Sequence, residues 1–325
     1  MSTSMFTALS PEQVDAYLER IRLPRKYHPS SSPVHDIAFL TALHVHHISE
    51  IPYENLSIHY SPSHSVTIDA DALYDKIITA KRGRGGYCME DGILFHHLLR
   101  ALGFNTYMAG ARIRLRDANN VPSGDYIGWC HLAHIVTLPN GERYALDVSF
   151  GGDGPTKPMP LVHGASLQNL GTQEIRLVYE HLPQHAHPES QPKHWIYQYR
   201  NSAEKEWNSY YAFPEFEFFP ADLISINFWA AAYPTSFQTF TVLVVKFLLG
   251  KGDGEDQQEK IVGKLMLNNG HVKRNMGGKT EVIRVCGTEE ERVQALKEYF
   301  GIDLTDEEVR AISGWKTELR QSDGE

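Results

Sequence analysis

Cysteine is scarce: Cys88, Cys130 and Cys286 are the only three in 325 residues. An odd number at scattered positions does not make a disulfide framework and suits free thiols in a reducing compartment, so a cytoplasmic location is expected. Long apolar runs are missing too. The longest, Phe240 to Leu249, is broken by Lys246 and falls well short of the roughly 20 residues a membrane span requires. The first residues show no basic stretch followed by an apolar one, so no secretory signal is expected. Positive charge is in deficit, with 31 Lys and Arg against 40 Asp and Glu, a formal net charge of −9 and no basic block, which excludes nucleic acid as an expected partner. No internal repeat is visible. What is present, 42% hydrophobic and 22% charged residues, describes a soluble globular chain. Its length exceeds the roughly 250–300 residues at which one core stops growing, so two or three packed units are expected.

The first hundred residues carry helical periodicity. Ser10-Pro11-Glu12-Gln13 is a capping box with proline at the first helical position, followed by Val14, Tyr17, Leu18 and Ile21 at helical spacing. A second helix is predicted from Asp36 towards Ser49 and a third after the cap Asp69. The fourth opens at Cys88, runs on an apolar stripe of Leu94, Phe95, Leu98, Leu99 and Leu102, and stops at Gly103. After Gly103 the period changes to two, with strands predicted at 107–116, 131–138, 143–148, 174–179 and 195–200. Ile113 and Leu115 alternating with Arg112, Arg114 and Arg116 describe a half-exposed strand. The stretch His181 to His194 reads as a surface loop. From about Phe219 a further unit follows, with strands at 241–249, 260–267 and 280–285, a helix capped by Thr288 and ending at Gly301, and another starting at Thr305.

Arg84-Gly85-Gly86-Tyr87-Cys88 delivers a cysteine to a helix start, where the macrodipole and free backbone N–H groups favour thiolate and could stabilise an oxyanion; the two glycines would let a substrate approach the backbone. A thiolate nucleophile needs an imidazole to hold its proton and a carboxylate to orient that imidazole. His131 or His134 with Asp147 offers both, on two strands joined by Pro139-Asn140-Gly141-Glu142. A two-residue turn places His134 opposite Asp147 but sets Leu132 against Ser149. A three-residue turn with Gly141 as the left-handed residue gathers Leu132, Val136 and Leu138 with Tyr144, Leu146 and Val148 on one face. His131, Ala133 and Ile135 then share the other with Ala145, Asp147 and Ser149. The second register is the cleaner one. It sets His131 diagonal to Asp147, about 7–8 Å apart and within side-chain reach.

With these motifs in hand, the chain resembles an arylamine N-acetyltransferase of fungal type. Arg84-Gly-Gly-Tyr-Cys88-Met-Glu90 is similar to the family's nucleophile motif, Trp129-Cys-His131 and Tyr144-Ala-Leu-Asp147-Val-Ser-Phe150-Gly to its histidine strand and acid segment, and Ile51-Pro-Tyr-Glu-Asn-Leu56 to its upstream pattern. Asp222, Asn227 and Ser236 fit the pattern before its last unit. The resemblance implies an α+β fold: a helical domain over 1–104 carrying the nucleophile, a central β-barrel over 105–218 carrying His131 and Asp147, and an α/β lid over 219–325. It implies a cysteine-protease-like Cys88-His131-Asp147 triad and ping-pong acetyl transfer from acetyl-CoA to an arylamine or arylhydrazine, without a metal. Ser236 is expected near the cofactor, and Tyr53 and Phe150 in the substrate pocket.

Two positions depart from the family pattern: Ser149 where glycine is usual, and Gly92 where asparagine is usual. They bear on the acyl donor, since some fungal relatives prefer malonyl-CoA or propionyl-CoA, and a malonyl carboxylate calls for a cation that the sequence does not place in the pocket. A thiol acyl hydrolase with the same triad, or a binding module with a merely packed Cys88, are the other classes to be tested. His44, His46, His47, His96, His97, His185 and His187 lack ligand spacing and read as packing or solvated residues. Gly250 to Gly254 lacks the ending of a phosphate loop. Phe213, Phe216, Phe218 and Phe219 read as inter-domain core, and Arg84 as a tie from its loop to Glu54.

Overall fold

A computed structural model describes residues 9–251 and 259–320. The residues ahead of Leu9, and Gly252 to Gly254 of the glycine-rich turn weighed above, lie outside the described residues. The capping box at Ser10 starts α1 (Pro11–Arg20), with Ser10 Oγ accepting from Gln13 N and Gln13 Oε1 accepting from Ser10 N. Asp36 caps α2 (Ile37–Glu50). A two-residue strand, β1 (Tyr53–Glu54), and the short helices α3 (Leu56–Tyr60) and α4 (Ala70–Tyr74) lead to α5 (Cys88–Ala101). Gly103 follows α5 at φ +86°, as its C′ position requires. α5 departs from the one-sided stripe: every residue from Cys88 to Leu99 is buried, polar ones included, because it is the central helix of the packing rather than a surface one.

Eight antiparallel strands form the barrel-like middle. They are β2 (Asn105–Arg116), β3 (Pro122–Thr137), β4 (Arg143–Leu146), β5 (Met159–Pro160), β6 (Ser166–Gln168), β7 (Glu174–Glu180), β8 (His194–Arg200) and β9 (Asn208–Phe213), in the order β5-β4-β3-β2-β9-β8-β7-β6. β2 differs from its expected alternation: Ile113 is buried but Leu115 is 47% exposed, because three register shifts against β3 re-aim its outer half. β3 also starts nine residues earlier than its apolar pattern. α6 (Pro220–Ala232) then leads to a second sheet of β10 (Leu243–Lys251), β11 (Glu259–Asn268), β12 (His271–Asn275) and β13 (Glu281–Val285), with α7 (Glu289–Ala295) and α8 (Asp306–Ala311) packed beside it. Its first strand is β1, paired with β10, so Tyr53 and Glu54 carry the helical segment into the C-terminal sheet. Asn55 completes the seam: its Nδ2 donates to Gln238 Oε1 at 2.9 Å and Thr241 O at 2.7 Å, and its Oδ1 accepts from Leu243 N at 2.8 Å.

The β3–β4 hairpin takes the three-residue turn. His134 pairs with Leu146, Ile135 with Ala145, Val136 with Tyr144 and Thr137 with Arg143, and Gly141 has φ +85°. Its two faces are both interior. Leu132, Val136, Leu146 and Val148 join the core around α5, and Ala133, Ile135 and Ala145 join the barrel core.

Candidate functional site

α5 begins one residue after its N-cap Tyr87, so Cys88 occupies the first helical position, 5% exposed. Its Sγ lies 3.7 Å from the carbonyl oxygen of Cys130, the residue immediately before His131. The loop that opens α5 and the strand β3 therefore meet at this point. His131 Nε2 is 2.7 Å from Asp147 Oδ2, with both side chains buried. An ionised carboxylate only accepts, so Nε2 is the nitrogen that donates a proton to Asp147. Asp147 Oδ1 accepts from Ser149 N at 3.1 Å. Burial alone would raise the Asp147 carboxyl, but the adjoining His131 and bonds from Ser149 and Tyr211 outweigh it and hold it below its ordinary value.

The thiol behaves otherwise. Burial pushes Cys88 well above its ordinary value, the nearby Cys130 and Asp147 add to this, and the Met89 amide offsets only part. The helix start alone therefore does not make a thiolate here. An anion at Sγ needs an imidazolium beside it, formed when the thiol proton passes to a histidine. The loop glycines also differ from expectation. A Cβ at Gly85 would lie 1.9 Å from Pro52 O and one at Gly86 2.4 Å from Glu90 Cβ, so both serve close packing against the chain itself. Arg84 meets Glu54 as expected, Nε to Oε1 at 2.8 Å.

His134 stands on the opposite face of β3. Its Nε2 faces Gly92 O at 2.8 Å and its Nδ1 faces Leu146 O at 3.3 Å, which pins α5 to the hairpin. The two departures from the family pattern are neighbours: a Cβ at Gly92 would sit 3.1 Å from Ser149 Oγ and 2.6 Å from Leu132 Cδ1. Tyr53 and Phe150 line one small cavity together with Asp147 and Gly151. The Phe150 ring stands edge-on to His131 at 5.0 Å, and Tyr53 Oη accepts from Gln238 Nε2 at 2.6 Å. Ser236 is buried, its hydroxyl donating to Ala230 O at 2.6 Å. The aromatic cluster splits. Phe213 and Phe218 are core, whereas Phe216 is 50% and Phe219 63% exposed, because the chain leaves the barrel there to start α6. Phe216 and Phe218 line an open cavity of about 460 Å³ with Trp129, Ile226 and Trp229.

Tyr211 was not among the expected site residues. It lies on β9, its ring is 5.5 Å from His131, and its hydroxyl bonds the Asp147 carboxylate. Tyr210-Tyr211-Ala212-Phe213 is a strand-like aromatic run that would have marked it.

Cys88 at the start of α5 and the strand-borne His131–Asp147 pair thus lie where the helical layer meets the barrel. A family model described as N-acetyltransferase matches residues 36–309, and the chain belongs to that family; it is an acyltransferase. N-malonyltransferase FDB2 of Fusarium pseudograminearum is 32% identical over 93% of this chain and 92% of its own. The arylamine N-acetyltransferase from Salmonella typhimurium superposes with a TM-score of 0.73 at 27% identity, covering 94% of this chain and 98% of that one. The Mycobacterium marinum arylamine N-acetyltransferase in complex with CoA shares the fold, at TM-score 0.71 and 23% identity over 94% of this chain and 98% of its own. No described helix is long and apolar enough to cross a membrane.

Proposed function

We propose that this chain transfers an acetyl group from acetyl-CoA to the nitrogen of an arylamine or arylhydrazine, through an acyl-Cys88 intermediate. The observation that carries this is the 2.7 Å His131–Asp147 pair one residue from the carbonyl that Cys88 touches. His131 Nδ1 takes the thiol proton, Sγ attacks the thioester carbonyl, and the CoA sulfur leaves with the proton from His131. The amine then attacks the acyl-cysteine, His131 accepts an N–H proton, and the Cys88 sulfur departs. Asp147 keeps the imidazole oriented and balances its charge throughout. Tyr53 and Phe150 flank the acyl group, Ser236 shapes the approach of CoA, and the cavity walled by Trp129, Phe218 and Trp229 seats the aromatic acceptor.

A second reading replaces acetyl by malonyl. It is supported by the similarity to N-malonyltransferase FDB2 along nearly the whole chain. Arg112 is the cation suited to the extra carboxylate: its guanidinium stacks on Trp129 at 3.8 Å and donates to Ile127 O at 3.3 Å. Competition between acetyl-CoA, propionyl-CoA and malonyl-CoA for one aniline acceptor decides between the donors. Rapid CoA release without the amine would instead mark a hydrolase. Failure of any acyl-CoA to label Cys88 would end both transferase readings.

A further inference from the structure

Five charged side chains run without a break from the last helix of the chain to the backbone amide beside Cys88. Arg84 Nη1 donates to Glu308 Oε1 of α8 at 2.5 Å, and Arg84 Nε to Glu54 Oε1 at 2.8 Å. Lys76 Nζ follows, 3.5 Å from Glu54 Oε1 and 2.7 Å from Glu90 Oε1, with a further bond to Ser57 Oγ at 3.0 Å. Glu90 Oε2 accepts from the backbone N–H of Tyr87 at 3.2 Å, and Tyr87 is the N-cap of the helix that Cys88 opens. The Glu54 and Glu90 side chains are 0% and 2% exposed. Arg82 also pairs with Glu308, so three acids face three bases.

Carboxylates this deeply buried persist only when paired, and removing one partner strands the other. The last link is the one that touches catalysis. Glu90 lies two residues from Cys88 and fixes an amide that would otherwise be an unsatisfied helix-end donor. We propose that Lys76 is a positioning residue for acyl transfer: by pairing with Glu90 it holds the Tyr87 amide, and through it the start of α5 and the Cys88 sulfur, while Glu308 anchors the far end of the line. This rests on Cys88 being the acylated residue.

The test uses the full chain and three variants, Lys76→Met, Glu90→Gln and the double variant, read by single-turnover acylation from acetyl-CoA, KM for acetyl-CoA, and iodoacetamide alkylation of Cys88. Lys76→Met slows acylation and alkylation about tenfold or more, with KM changed by less than about twofold, since a displaced nucleophile loses rate rather than substrate binding. The double variant recovers most of that loss, because a neutral amide oxygen accepts the Tyr87 N–H without a cation. Lys76→Met acylating at the unmodified rate, or a double variant slower than Lys76→Met alone, overturns the proposal and leaves a plain structural strut. Should Lys76→Met not fold, Glu308→Gln at the more exposed end is read the same way, with about threefold slower acylation expected and an unchanged rate contradicting it. Cys88→Ala separates the two levels. If that variant still becomes acylated, the nucleophile assignment fails; if it is inert while Lys76→Met is normal, only the positioning proposal fails.

Discussion

His131 and His134 sit three residues apart on one strand, both buried, and their surroundings could hardly differ more. His131 faces a carboxylate that can support a positive ring, and an edge-on Phe150. His134 faces two carbonyl oxygens and packs beside Phe95 and His96, and burial pulls it down to about 4 although its carbonyl bonds and Asp147 oppose this. Burial keeps charge off the second ring. The difference comes from strand alternation: the three-residue turn puts the odd-numbered residue on the face of Asp147 and the even-numbered one on the face of α5.

The comparison breaks most decisively at the proposed chemistry. Cys88→Ala and His131→Ala each lower kcat/KM for acyl transfer on the order of 10⁴-fold, whereas His134→Ala stays within about tenfold, as steady-state kinetics will read. Asp147→Asn costs roughly 10²–10⁴-fold, because the amide no longer selects the tautomer that leaves Nδ1 free. On the His134 side the losses are in stability. Gly92→Ala drives a methyl towards Leu132 Cδ1 and costs about 1–3 kcal/mol in a denaturant titration. His134→Ala costs about as much through the lost bond to Gly92 O.

A pH dependence of stability sharpens the same contrast. Burial also lowers His44, whose Nε2 bonds Pro155 O at 3.0 Å, to about 4. The unfolded chain binds protons at these two histidines below about pH 6.5 while the folded chain does not, so stability is full above that pH and falls as pH drops towards 4. The expected loss is about 1 kcal/mol per pH unit for each ring, and His134→Gln should flatten the midpoint-against-pH curve across that window. A curve unchanged by the substitution would contradict the assignment of His134 as a neutral packing residue.

Much of this arrangement was legible in the sequence because it is local. The caps at Ser10, Asp36, Asp69, Thr288 and Thr305 start the predicted helices, and Gly141 with the apolar pattern around it sets the hairpin register. What stayed hidden depends on distant partners. β1 has only two residues and no pattern of its own; it is a strand because β10 is beside it. α6 follows an aromatic run whose solvent exposure no local spacing reveals. The raised Cys88 thiol was missed for the same reason. A helix start is visible in sequence, but the burial that outweighs it is not.

The most direct test of the central claim is peptide-resolved mass spectrometry of the chain mixed with acetyl-CoA in the absence of an amine, alongside His131→Gln. The account predicts one acetyl group on the Cys88 peptide, removed when an arylamine is added, and little or none in the variant over the same time. An acetyl group on another residue, or equal labelling of Cys88 in the absence of His131, would contradict it.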